Sequence, residues 1–345
     1  MKKYKSFLNH KIVFRCDAAN IPEIGSGHVY RSLVIAKFLK TKLSLDPKLI
    51  AFIVKTKGQY SKNLTILRKH KFEIIRIKST IKDYSTEEAK ELNKLRANMI
   101  IIDRLGKVNK NFYESIKTNF KKKIIIDDSS IHRKLFDLSL NPLIQNVPTF
   151  KGEKVGYKYL ILDISKNTKP KIKKNNKNIF LFFGGFDSKN LTQKVINSLN
   201  LIKIKFNIHL PLAYKSSVKI KKNQHNFNFF KPEKYFNQLN KSNISIISGG
   251  IALFDSILNK KKIICIPQYE HQELNAKKIL KTKAINYLNS KNKNFDVNLI
   301  NLILKIYKDK HYLKKINAIQ RRIIDIKKVK NTLELFLKTY AKSKN

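Results

Sequence analysis

The chain has 345 residues, with 73 Lys and Arg against 24 Asp and Glu, a formal net charge of +49, two cysteines and no tryptophan. That length builds two domains with a core in each, while Cys16 and Cys265, both in apolar runs, supply neither a disulfide framework nor a metal cluster; no cofactor is expected. Only nine of the basic residues are arginine and the lysines are scattered evenly, the bias of A+T-rich coding, so specific nucleic-acid binding is not expected and weak attraction to acidic surfaces at low salt is what remains.

Strand-like and helix-like runs alternate along nearly the whole chain, the pattern of α/β architecture with parallel sheets. No apolar run reaches the ~18 residues that span a bilayer. The start, Met1-Lys2-Lys3-Tyr4-Lys5, leads straight toward the first strand rather than into a signal-peptide stretch. A cytoplasmic monomer is the expectation.

The first half predicts strands at Ile12–Cys16, Leu49–Val54, Phe72–Ile77, Met99–Ile102, Lys123–Ile126 and Leu138–Leu140, with helices between them, as at Glu87–Leu95 and Asn111–Thr118. After the first strand comes Gly25-Ser26-Gly27-His28, leading into an apolar-rich run from Ser32. Glycines let the backbone turn sharply and a ligand approach closely. A helix start offers unpaired N–H groups to an anion, and its field disfavours imidazolium, so His28 is expected to be neutral and able to take a proton. Asp17, just upstream, has two roles open to it: orienting that imidazole, or capping the strand–helix turn. A Gly-rich turn with one histidine is weak evidence by itself.

Residues 166–178, polar and charged with one proline, read as a linker, giving domains at 1–165 and 179–345. The second half restarts with an apolar strand, Ile179–Phe183, then Gly184-Gly185 and a helix over Leu191–Leu199. Further strands are expected at Phe206–Leu210, Ile244–Ile247, Ile263–Ile266 and Ala284–Leu288, and helices at Val297–Leu304 and Tyr312–Tyr340. Ser248-Gly249-Gly250-Ile251 is again a glycine turn between a strand and a helix, suited to bringing backbone N–H groups against a phosphate. Asp255, one turn on, is placed either to accept from ribose hydroxyls or simply as a helix-start charge. Gln272 and Asn275 share a helix face and suit sugar hydroxyls, or act as caps. The simplest architecture is two doubly wound, Rossmann-like domains facing a cleft.

With these motifs in order from about residue 11 to 285, the chain resembles a family. Arg15-Cys16-Asp17 with Gly25-Ser26-Gly27-His28-Val29-Tyr30-Arg31, Phe183-Gly184-Gly185-Phe186-Asp187-Ser188-Lys189-Asn190, Ser248 to Asp255, and His271 to Ala276 resemble the UDP-2,4-diacetamido-2,4,6-trideoxy-β-L-altropyranose hydrolases of pseudaminic acid biosynthesis. They resemble equally the spore-coat polysaccharide biosynthesis proteins. Both are similar to GT-B glycosyltransferases, including the one that adds N-acetylglucosamine in peptidoglycan synthesis. The resemblance implies a GT-B fold, UDP held by the C-terminal domain, chemistry from the N-terminal domain, and a last helix that packs back on the first domain. It implies metal-free hydrolysis of a UDP-sugar at the anomeric carbon, with UDP-sugar glycosyl transfer and non-catalytic UDP-sugar binding as the alternatives. His28 corresponds to the water-activating base, and Tyr84, on position alone, to an active-site tyrosine. Gly25, Gly27, Arg31, Gly184, Gly185, Asp187, Ser248, Gly249, Gly250, Ile251, Asp255, Gln272 and Asn275 correspond to the substrate and nucleotide contacts. Ala252 and Asp255 depart from the family's usual Ser or Thr and glutamate, and Asp103-Arg104-Leu105-Gly106 is closer to the spore-coat branch.

Overall fold

A computed structural model describes residues 10–19, 25–95, 97–143, 149–166, 177–220, 225–309 and 311–342. They form two units, residues 1–162 with 327–345, and residues 163–326. Most of the expected linker lies outside the described residues.

The first unit is a seven-stranded parallel sheet: β1 (His10–Cys16), β2 (Ile50–Lys55), β3 (Glu73–Ile77), β4 (Ala97–Gly106), β5 (Phe120–Asp128), β6 (Leu138–Asn141) and β7 (Lys154–Val155), in the order β3-β2-β1-β4-β5-β6-β7. Its helices are α1 (Gly27–Lys42), α2 (Lys62–Leu67), α3 (Thr86–Asn93) and α4 (Lys110–Ile116). Both faces of the sheet are buried, which is why its strands read as continuous apolar runs. Side chains alternate between the faces. Ile12, Phe14, Met99 and Ile101 pack with Val29 and Leu33 of α1, while Val13, Ile100 and Ile102 pack with Ala89 and Leu92 of α3 and Phe112 of α4.

The second unit holds β8 (Asn178–Phe182), β9 (Asn207–Pro211), β10 (Asn226–Phe230), β11 (Ile244–Ile247), β12 (Lys262–Cys265) and β13 (Asn286–Tyr287), in the order β10-β9-β8-β11-β12-β13. Its helices are α5 (Leu191–Leu199), α6 (Tyr235–Lys241), α7 (Ile251–Leu258), α8 (Glu270–Leu280), α9 (Phe295–Lys308) and α10 (Tyr312–Ile323). All strand pairs are parallel, and the order reverses at β8/β11 as it does at β1/β4 in the first unit.

The stretch Tyr312–Tyr340, expected as helix throughout, breaks at Ile324, which is extended and buried. Beyond it α11 (Ile326–Ala341) sends Leu333, Phe336 and Tyr340 into the α1-side core of the first unit, the i, i+3, i+7 spacing of one apolar helix face. Strands β7 and β10 were not among the expected ones. Asn226–Phe230 reads Asn-Phe-Asn-Phe-Phe and escapes a search for wholly apolar runs because it is an edge strand with one polar side. Among the described residues no helix is long and apolar enough to cross a membrane.

Candidate functional site

In doubly wound sheets ligands bind at the carboxyl ends of the strands where the strand order reverses. In the first unit that place is β1/β4, and His28 stands there in the first turn of α1. Ser26 before it makes no side-chain cap, so the first N–H groups of α1 are not met by a capping side chain. His28 Nδ1 lies 2.9 Å from Oδ1 of Asp103, in β4. Asp103 is fully buried and also accepts from Arg31 Nε at 2.9 Å, from Arg31 Nη2 and from Ser32 Oγ at 3.2 Å. Burial pushes its carboxyl up, but Arg31 outweighs burial and holds it down at about 2. An ionised carboxylate only accepts hydrogen bonds, so the 2.9 Å contact needs a proton on Nδ1, while Arg31 Nη2, also a donor only, stands farther off at 3.3 Å from the same nitrogen; in the neutral tautomer that this contact selects, Nε2 carries the lone pair. The His28 side chain is 11% exposed.

Arg31 is held in turn. Its Nη1 lies 2.7 Å from Oδ2 of Asp127, at the end of β5, and only 3% of its side chain is exposed. Asp127 sits at φ +58°, a left-handed conformation that costs a non-glycine residue of order 1 kcal/mol or more. Asp103 and Asp127 were not among the expected site residues. The signal was a carboxylate following each apolar strand at the sheet's carboxyl edge.

Four expectations are corrected. Asp17 does not orient His28: its Oδ2 accepts from Arg15 Nη1 at 2.6 Å, and its Oδ1 from the Lys55 and Asn63 nitrogens at 2.8 and 3.2 Å. Parity explains this, because Arg15 points to the α3 side of the sheet while Asp103 points to the α1 side. Arg31, expected among the substrate and nucleotide contacts, is instead a buried bridge between Asp103 and Asp127. Tyr84 lies in the core on the α3 side, 5.2 Å from Phe112 and under the Arg104 guanidinium at 4.0 Å, away from the α1 side that carries His28. Asp187 caps α5, accepting from Leu191 N at 3.0 Å and Thr192 N at 2.7 Å, which leaves its carboxylate occupied.

In the second unit, Gly184 has φ +96°, which favours glycine, and Tyr214 pins this turn, its hydroxyl donating to the Gly184 carbonyl and accepting from Phe183 N at 3.1 Å. Gly185 follows it directly. Ser248 and Gly249 turn the chain at the end of β11, and Gly250 leads into α7 with no side-chain cap, so Ile251 opens a helix whose first N–H groups have no capping side chain. A Cβ on Gly249 would stand 2.3 Å from the Gln272 carbonyl oxygen; glycine is what lets α8 pack against the turn. Gln272 also accepts from Gln268 N at 3.0 Å through Oε1, and its amide nitrogen is the nearest atom, at 3.8 Å, to where a Gly250 Cβ would sit. Asn275 is buried one turn further along α8.

Asp255 is 6% exposed, and one of its oxygens accepts from Tyr235 Oη at 3.1 Å. Burial raises its carboxyl to about 7. The folded state therefore keeps a proton on Asp255 that the unfolded chain releases, so stability falls as pH rises from about 4 to about 7. In thermal melts Asp255→Asn should gain on the wild type across that range, reaching about 2–4 kcal/mol at pH 8. A constant difference between pH 4 and 8 would show that Asp255 does not titrate there.

Among the described residues no group of three or more His, Cys, Asp or Glu side chains could hold a metal ion. No protein-family model matches the chain. An uncharacterised protein of Methanocaldococcus jannaschii is 28% identical over 278 residues, covering 72% of this chain and 54% of that protein, so the chain spans about half the length of the curated relative it matches. Solved structures resemble it over nearly its whole length. MurG of Acinetobacter baumannii gives a TM-score of 0.63 at 12% identity, covering 95% of this chain and 99% of that one. The spinosyn forosaminyltransferase SpnP gives 0.65 at 8%, covering 96% and 99%, and the spinosyn rhamnosyltransferase SpnG, complexed with thymidine diphosphate, gives 0.60 at 9%, covering 95% and 99%. The fold is that of the GT-B glycosyltransferases, built from two doubly wound α/β units.

Proposed function

We propose that the chain transfers a glycosyl group from a UDP-sugar to a hydroxyl acceptor, with the first unit supplying the base and the second holding the nucleotide. The observation that carries this reading is the His28–Asp103 pair at the β1/β4 reversal. His28 Nε2 takes the proton of the acceptor hydroxyl. The freed oxygen bonds to the anomeric carbon, the bond from that carbon to the phosphate oxygen breaks, and UDP leaves with the electron pair. Asp103 stabilises the imidazolium that forms, as a carboxylate behind a catalytic histidine does elsewhere. Negative charge developing on UDP is met by the N–H groups at the Ser248–Ile251 turn. In this reading Gln272 and Asn275 contact the phosphate or sugar, and Asp255 takes the ribose hydroxyls through the oxygen that Tyr235 does not hold.

A second reading has its own support: the run Gly25 to Arg31 resembles UDP-sugar hydrolases, in which the attacking hydroxyl is that of water. The solved glycosyltransferases of the same fold favour transfer. The test is to incubate purified protein with a panel of UDP-sugars and follow UDP with and without saccharide acceptors. Transfer predicts UDP release that rises with acceptor, together with a product whose mass equals acceptor plus sugar less water. Release of UDP and free sugar at one rate regardless of acceptor would replace transfer with hydrolysis. Absence of UDP under every condition would sink both.

A further inference from the structure

On the α3 side of the first sheet, away from His28, three cations meet at the carboxyl ends of β1, β2 and β4. They are Arg15, Lys55 and Arg104, and each is at most 5% exposed. Two carboxylates are built in against them. Glu88, fully buried, accepts from Arg15 Nε at 2.7 Å, from Arg104 at 2.7 and 2.6 Å, and from Tyr84 N at 2.7 Å. Asp17 accepts from the Arg15 guanidinium, from the Lys55 backbone N–H and from the Asn63 side-chain amide. Both accept at each of their oxygens, and they balance two of the three positive charges.

The third charge is met differently. Asp83, on the connection between β3 and α3, inserts one oxygen among the three cations: Oδ1 lies 2.7 Å from Lys55 Nζ, 3.3 Å from Arg104 Nη1 and 3.4 Å from Arg15 Nη2. Its side chain is 36% exposed, so one face of this carboxylate reaches solvent while the cations under it do not. Burial pushes its carboxyl up, but Arg104, Arg15 and the Lys55 hydrogen bond outweigh that and hold it low. Next to it, Tyr84 is held at φ +60°, a strained conformation for an aromatic residue. The seat has its own walls: Lys55 Nζ lies over the Tyr60 ring at 5.2 Å and Arg104 over the Tyr84 ring at 4.0 Å.

We propose that the place occupied by Asp83 is an oxyanion site, in which a phosphate or carboxylate group of a ligand displaces the Asp83 side chain from among Lys55, Arg15 and Arg104. The two built-in carboxylates keep the cradle folded when it is empty of ligand, and Asp83 fills it with a carboxylate tethered to a surface connection. A second anion cannot enter while Asp83 is there, because like charges at this spacing repel strongly under low exposure. Exchange replaces one accepting oxygen with another, so the cations stay paired throughout.

The probe is inorganic phosphate, titrated by calorimetry at fixed ionic strength, since a chain of this charge collects anions at low salt. Asp83→Asn is expected to bind one phosphate about tenfold or more tightly than the wild type, and Lys55→Gln added to it is expected to abolish that gain. In the unmodified protein, saturating phosphate is expected to speed amide exchange over residues 78–85 and leave the rest of the first unit unchanged. This second measurement stands even if Asp83→Asn does not fold. Equal phosphate affinity with and without the Asp83 charge, or a gain that survives Lys55→Gln, would overturn the proposal, as would unaltered exchange over 78–85. Each would mean that Asp83 is a fixed part of the ion cluster.

Discussion

In the proposed glycosyl transfer, Asp103→Asn is expected to lower the turnover of UDP-sugar about 10²–10⁴-fold with little change in KM. The amide can still accept from Nδ1, but it carries no charge to balance the imidazolium that forms as the acceptor gives up its proton. It also leaves Arg31, buried and now paired with Asp127 alone, short of its bidentate partner. Breaking a buried pair in this way costs about 3–5 kcal/mol, so rates must be taken per folded molecule, with the folded fraction read from a melt of the same sample. Because Asp103 is held near 2 by Arg31, the wild-type pair keeps its charge at every ordinary assay pH. An Asp103→Asn protein that is folded and turns over at the wild-type rate would remove Asp103 from the mechanism and leave His28 unsupported.

The second large effect concerns the glycine turn. A Cβ at Gly249 would meet the Gln272 backbone at 2.3 and 2.9 Å, where neither side can move as a flexible side-chain tip could. Gly249→Ala must push the Ser248–Ile251 turn away from α8. We expect a loss of about 1–3 kcal/mol in stability, as for other forced overpacking, and at least tenfold weaker UDP binding by calorimetry, since the N–H groups proposed to hold the phosphate are displaced. Gly250→Ala is the control. Its φ is −87° and its nearest neighbour is a side-chain nitrogen at 3.8 Å, so that variant should keep the wild-type stability. Equal UDP affinity in all three proteins would place the nucleotide elsewhere.

The fold was largely readable from the chain because it depends on local pattern. Strands buried on both faces are apolar at most positions, and the runs at Ile12–Cys16, Met99–Ile102 and Ile244–Ile247 are therefore easy to find, although buried Arg15 and Ser245 interrupt two of them. The short pairing at β7 and the half-polar β10 are less legible, since edge strands need not be apolar throughout. The turns at Gly25–His28 and Ser248–Ile251 were visible for the same local reason. The partners of His28 were not. Asp17 is eleven residues away in the chain and Asp103 is seventy-five, yet Asp103 is the one in contact. What decides is which face of its strand each carboxylate occupies and which strand lies next to β1, and both are properties of sheet order rather than of spacing along the chain. Arg31 and Asp187 show the same limit. Their positions beside glycine turns were clear, but whether each reaches outward to a ligand or inward to a carboxylate or a helix start depends on neighbours brought in by the fold.

The most direct test of the account compares UDP release from a turned-over UDP-sugar by the wild type and by His28→Ala, with UDP affinity measured on both by calorimetry. The account predicts release that falls at least about 10³-fold in the variant while UDP affinity stays within a factor of two. Release at the wild-type rate by a folded His28→Ala protein would contradict it.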